Sequence, residues 1–248
     1  MPSLKFGTHS TSADEGDACG RLTISVRTAL NHPDSSSILD WKVGELLERL
    51  GSSDPTPGGG AAAALGGALG AALVQMTGSL TIGRPRFANV EDQAQRIVQR
   101  TAELRERLAQ LAEADAEAFD KVSAAYRLPR ADEAQKAARS ASIQSALRLA
   151  AEVPLETARI CVEVVEVAEE AAPVLNQAVI SDVLVGALLA QAALRAAAIN
   201  VEINLASMTD AATVARYSQD LGRLLSGVDE RVERILQAGR ARFPRHQS

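Results

Sequence analysis

Asp115 stands where an apolar side chain is expected. Val90, Ala94, Ile97, Thr101, Leu104, Leu108 and Leu111 step alternately by four and three residues, the spacing of one helix face. The next step lands on Asp115, and the stripe resumes at Ala118 and Val122. A carboxylate on a buried face is costly unless it is paired or used. Burial also raises its pKa toward the range where it can move protons. On pattern alone, a frayed helix end or an internal salt bridge accounts for Asp115 equally well.

Other polar residues break apolar ground in the same way. Asn200 and Asn204 lie one turn apart on a helical stretch with few charges, so they share a face. They either satisfy neighbouring backbone or read a polar heterocycle. Asn176, Ser181 and Asp182 lead into that stretch, and an Asp at a helix start usually caps it. Arg84 and Arg86 stand where another apolar segment ends, as surface cations or as an anion clamp. Gly58, Gly59 and Gly60 follow Pro57 and open that segment. The first amides of a helix have no intrahelical partner and can bind an oxyanion, or simply sit in a tight helix start.

The histidines, His9, His32 and His246, all fall near the chain ends. The body therefore cannot hold a histidine-based triad, and no metal site is expected. Acid–base chemistry there belongs to carboxylates, Lys, Tyr or bound water. The glycines are no phosphate loop, because no lysine occurs between Lys42 and Lys121. They are no dinucleotide fingerprint either, because no strand precedes them.

These residues need helices to position them. Ser36 or Ser37 can cap a first helix carrying Val43, Leu46, Leu47 and Leu50 and ending at Gly51. No charge occurs from Pro55 to Gly83, yet the glycines and polar residues there argue for a buried central helix rather than a membrane span. Gly66 and Gly70 would admit a close neighbour. A long helix then runs to about Tyr126, Asp132 caps the next, and Pro154 starts or kinks a helix reaching Ala172. Residues 181–208 form a second apolar helix, and Asp210 caps a last one carrying Val214, Leu221, Leu225, Val228, Val232 and Leu236. No strand pattern survives in the body. The fold class is all-α, a single-domain bundle with two long apolar central helices.

Residues 1–37 read as a disordered leader, with a short strand at most at "RLTISV"; residues 38–240 are the helical domain and 241–248 a tail. The net charge of −5, with no polybasic run, argues against nucleic acid. Cys19 and Cys161 read as free thiols of a cytoplasmic protein.

The order of "PTPGGGAAAALGGALGAALVQMTGSLTIGRPRF", "EADAEAFDKVSAAYRLPR", "VPLETA", "NQAVISDVLVGALLA" and "AAINVEINL" resembles the cyclodeaminase/cyclohydrolase family over roughly residues 38–225. That family comprises the C-terminal half of formiminotransferase-cyclodeaminase and the stand-alone methenyltetrahydrofolate cyclohydrolases. The resemblance implies a homodimer with a folate cleft near its interface, and no metal or redox cofactor. It implies Asp115 and Asp182 as catalytic residues, and Gly58, Gly59, Gly60, Arg84, Arg86, Asn176, Asn200 and Asn204 as substrate-binding. Asp115 would be the acid or base and Asp182 would orient water or hold the pterin. The two Asn would meet the pterin edge, and an Arg the glutamate tail. The chain departs from the family at Ala61, where Ser is common, at "GRPR", where Gly-Lys-Lys is common, and at Ala178, where a second Asn is common. The implied reaction is hydrolysis of 5,10-methenyltetrahydrofolate to 10-formyltetrahydrofolate. The alternatives are formimino-tetrahydrofolate cyclodeamination and a non-catalytic folate- or partner-binding role.

Overall fold

Four long helices carry the architecture: α2 (Gly59–Ser79), α3 (Glu91–Arg127), α4 (Glu133–Ala171) and α5 (Ile180–Leu205). A short α1 (Val43–Leu50) precedes them, and α6 (Ala211–Leu225) and α7 (Val228–Arg240) follow. The computed structural model describes residues 37–243, and no strand occurs among them. The expected leader before Ser37, the "RLTISV" strand, Cys19 and all three histidines lie outside the described residues.

Glycine positions fix how the helices run. Gly78 packs on Ile97 and Val98, Gly67 on Leu108, and Gly60 on Asp115, so α2 and α3 are antiparallel. Gly59 meets Asn200, Gly66 meets Ala193 and Gly70 meets Gly186, so α5 is antiparallel to α2 as well. Ion pairs Arg100–Glu170 (2.9 Å) and Arg107–Glu156 set α3 against α4 in the same sense. The result is an up-down four-helix bundle. Of the expected Gly66/Gly70 pair, Gly70 makes the close approach: a Cβ there would lie 2.7 Å from the Gly186 carbonyl oxygen, whereas one on Gly66 would sit 3.9 Å from Ala193.

The core is Ala, Val, Leu and Ile contributed by all four long helices, with Cys161 buried at its centre against Gly67. Burial pushes the Cys161 thiol up to about 12, so it is a packing group. Asp132 caps α4 by accepting from the Gln135 amide (2.8 Å), and Asp210 caps α6 from Ala212 and Thr213, as expected.

Three expectations need correction. Ser37 caps a 3₁₀ turn, Ile38–Asp40, and α1 begins only at Val43. The last helix is two, because Gly227 takes a left-handed φ of 73° between α6 and α7. Arg242, assigned to the tail, donates to the carbonyls of Ala172 (2.6 Å) and Leu175 (2.7 Å), closing the C-terminal end of α4.

Pro154 neither starts a helix nor ends one; α4 runs through it. A proline there has no N–H for the Ala150 carbonyl four residues back. Asn204 of α5 supplies the missing donor, its Nδ2 lying 2.8 Å from Ala150 O. Replacing Asn204 by Ala leaves that buried acceptor unpaired, and we expect a loss of about 1–3 kcal/mol in urea unfolding. In a Pro154→Ala background, where the backbone amide returns, the same change should cost at least about 1 kcal/mol less. Equal costs in both backgrounds would refute this pairing.

Candidate active site

α3 outruns α2. Their last contact is at Gly60 and Asp115, and α3 continues from Ala116 to Arg127, about 18 Å at 1.5 Å per residue. Asp115 thus stands level with the glycine start of α2, at the foot of the overhang.

Asp115 is half-buried. Its Oδ2 accepts the Ala61 N–H at 2.9 Å. Its Oδ1 lies against Gly60, where a Cβ would come within 2.0 Å of it. Neither a salt bridge nor a frayed end accounts for the residue: it sits well inside α3 and its partner is a helix N-terminal amide. Burial raises its pKa above the ordinary value of 3.8, and the Ala61 hydrogen bond pulls it partly back. Such a carboxyl can be held in place by one oxygen while the other exchanges a proton.

Gly59 brings Asn200 to the same corner, with a Cβ position 3.6 Å from its Nδ2 and 3.7 Å from its Oδ1. The Asn200 amide donates one hydrogen to Ala196 O (2.9 Å), which leaves its second N–H and its Oδ1 as hydrogen-bonding capacity. Asn204 lies behind it, and its NH₂ is taken up by Ala150 O and Asn200 O, both at 2.8 Å. The opposite face of α3 is tied to the start of the described chain. Glu113 accepts from the Ser37 hydroxyl and from the Leu39 amide (3.2 Å), half a turn before Asp115. Sequence reasoning missed Glu113 because an exposed-looking Glu on a long helix carries no periodic anomaly.

The remaining predicted residues gather at the opposite end of α2. Asn176 is buried and fully engaged. Its amide N–H donates to Thr81 Oγ1 (2.9 Å), its Nδ2 to Leu80 O (3.2 Å), and its Oδ1 accepts from Arg86 Nη2 (2.9 Å) and Ala178 N (3.1 Å). Arg86 is thereby held in place at the end of α2, with exposed Arg84 two residues away. Asp182 lies in the first turn of α5 rather than capping it. From Gly60 to Thr77, beside Val179, is about 25 Å along α2. One chain therefore brings Gly58–Gly60, Asp115, Asn200 and Asn204 together, and Arg84, Arg86, Asn176 and Asp182 together, but not the two groups. A groove of about 620 Å³ lies elsewhere, between α5 and α7 beside Gln191, Asp229 and Glu233, and none of these residues lines it.

The described residues form an all-α bundle with a half-buried carboxyl seated on a glycine-rich helix start, and none of them is a histidine. The comparisons give the bundle a family. Residues 42–223 match the formiminotransferase-cyclodeaminase family model. The chain is 44% identical over 191 residues to a methenyltetrahydrofolate cyclohydrolase of Methylorubrum extorquens, covering 77% of this chain and 92% of that one. It is 34% identical over 181 residues to rat formimidoyltransferase-cyclodeaminase, covering 72% of this chain but 34% of the much longer relative. The crystal structure of a formiminotetrahydrofolate cyclodeaminase from Thermotoga maritima matches with a TM-score of 0.74 at 28% identity, over 82% of this chain and 98% of that one. The chain belongs to the formiminotransferase-cyclodeaminase family.

Gly60 tests the geometry of the site directly. Gly60→Ala must push the Asp115 carboxyl out of its seat, so catalytic efficiency should fall about 100-fold with the helical circular-dichroism spectrum retained. Wild-type activity in that variant would mean the carboxyl is not used where it lies.

Proposed function

We propose that the chain hydrolyses the one-carbon bridge of 5,10-methenyltetrahydrofolate to 10-formyltetrahydrofolate, with Asp115 carrying the proton. The observation that carries this reading is the Asp115 carboxyl, raised by burial and seated on Ala61 and Gly60. The cyclohydrolase relative supports it, since nearly the whole of that protein is matched.

The methenyl carbon is an electrophile bonded to N5 and N10. The Asp115 carboxylate takes a proton as water adds to that carbon. It delivers the proton to N5 as the carbon–N5 bond breaks, and the hydroxyl becomes the formyl oxygen on N10 as its own proton leaves. One water is consumed and one proton is released. The reaction as written draws on neither a metal nor a redox cofactor. The free hydrogen-bonding capacity of Asn200 suits the pterin edge, with Asn204 bonded to the helix behind it. Arg84 and Arg86 suit the glutamate carboxylates of the folate tail.

Those arginines stand about 25 Å from Asp115 of their own chain, and a homodimer resolves the separation. Both central helices expose apolar stripes: Leu69 (61%) and Met76 on α2, and Val185, Leu188, Ile199 (65%) and Ile203 (61%) on α5. α2 and the segment 177–205 are long and apolar enough to cross a membrane, and each is about half buried against the other helices. A second copy is the occupant we favour for the exposed halves. A two-fold axis across α2 pairs the stripes antiparallel and lays the partner subunit's Arg86 toward the Asp115 end. Asp182 would then serve the pocket from the partner's side.

A second reading has its own support. The Thermotoga maritima relative is a chain of similar extent described as a formiminotetrahydrofolate cyclodeaminase, and 98% of it is matched. Turnover of purified protein on methenyl- and on formimino-tetrahydrofolate separates the two; faster turnover of the formimino substrate would overturn the assignment.

Asp115→Asn should lower turnover about 10²- to 10⁴-fold without unfolding the chain. Its stability effect has a fixed sign. The folded pKa exceeds the ordinary 3.8, so wild type loses stability as pH rises from that value through the folded pKa. The Asn variant lacks that loss and should gain on wild type between acid and neutral pH. For the shared site, Asp115→Asn and Arg86→Ala subunits are each expected to be nearly inactive. Re-equilibrated one to one, they should recover about a quarter of wild-type turnover, since half the dimers are mixed and each keeps one intact site of two. No recovery would place both residues in the same chain's site.

A further inference from the structure

Aromatic side chains are scarce here, with four Phe, two Tyr and one Trp in 248 residues. Two of them, Phe119 and Tyr126, stand exposed on the part of α3 that overhangs the start of α2. Phe119 follows Asp115 by four residues, so its ring is the next side chain along the same face, about 6 Å further on. Gly78–Ile97, Gly67–Leu108 and Gly60–Asp115 put this face toward α2. At the level of Phe119, however, α2 has not yet begun. The α4-facing side of the overhang is lined instead by Ala118 and Ala125, packed on Ala150, Val153, Ile143, Ala146 and Leu147. Phe119 belongs to neither cluster and is 37% exposed. Tyr126, about 10 Å beyond Asp115's neighbour, already has the Arg139 guanidinium over its ring at 5.6 Å. Phe119 is therefore the partly exposed ring one turn beyond the Asp115 carboxyl.

We propose that Phe119 is the substrate-binding residue that stacks on the planar ring system of the folate, one turn beyond Asp115. The inference rests on the folate reading above and adds to it the surface that recognises the ring. Aromatic faces stack on flat heterocycles in offset or edge geometries, and a leucine of similar bulk offers no such face. Ring stacking formed equally in the bound and transition states is uniform binding, so its loss raises KM and leaves kcat alone.

The test is steady-state hydrolysis of 5,10-methenyltetrahydrofolate by wild type, Phe119→Leu, Phe119→Trp and Tyr126→Leu, with thermal melting of each. Phe119→Leu should raise KM about tenfold with kcat within about twofold and an unchanged melting temperature. Phe119→Trp should stay within about threefold of wild type, and Tyr126→Leu should match wild type. An unchanged KM in Phe119→Leu overturns the proposal. So does an equal rise in the Leu and Trp variants, which would mark a packing role, or an equal rise in Tyr126→Leu, which would mark general damage to the overhang. Absence of turnover by wild type itself would instead overturn the folate hydrolysis reading, and this inference with it.

Discussion

The structure depends on how closely other helices approach α2. At Gly60, Gly67, Gly70 and Gly78 a single added carbon would fall 2.0 to 2.8 Å from Asp115, Cys161, the Gly186 carbonyl and Val98 respectively. Each contact lies on a different stretch of the helix and together they fix its neighbours on α3, α4 and α5. The absence of side chains brings the backbones together, and the same absence at Gly60 makes the seat for Asp115. Core packing and the proposed catalytic geometry are one steric arrangement, so a substitution that loosens the first disturbs the second. The outer ion pairs, such as Arg234–Glu169 at 2.9 Å, hold α7 on α4 at the surface and contribute little by comparison.

Much of this was legible in the residues. The three-four stripe of α3 led to Asp115 because a long helix displays its period over many turns, and the residues on either side of Asp115 kept the phase. The two apolar helices showed themselves by their lack of charge. Pro154 was expected to start or kink a helix; α4 runs through it, because the compensating donor comes from Asn204, some fifty residues away on another element. The same distance hid the true task of the Asn204 amide. Arg242 was read as tail because nothing near it in sequence shows that two carbonyls at the end of α4 await it. Gly227 lies within an unbroken apolar spacing, and only its left-handed backbone separates α6 from α7.

The residues singled out for one cleft fall into two groups at opposite ends of α2, a carboxyl end and an arginine end. Helical register makes that separation unavoidable within one chain, since α2 passes straight from one end to the other. A substrate with a reactive ring at one extremity and carboxylates at the other suits such a division when two antiparallel copies are combined. The apolar stripes left bare on α2 and α5 then have the same cause as the divided site. On the proposed dimer, both are surfaces that a second copy of the chain would cover.

The central claim is that Asp115 moves the proton from a carboxyl whose pKa burial has raised. Its most direct test is a carbon-13 NMR titration of the Asp115 carboxyl set beside the pH profile of kcat/KM for methenyl-folate hydrolysis. The account predicts that Asp115 titrates above 3.8 and that the activity profile rises through the same midpoint. A carboxyl titrating at or below the ordinary value, or a profile indifferent to its midpoint, would contradict it.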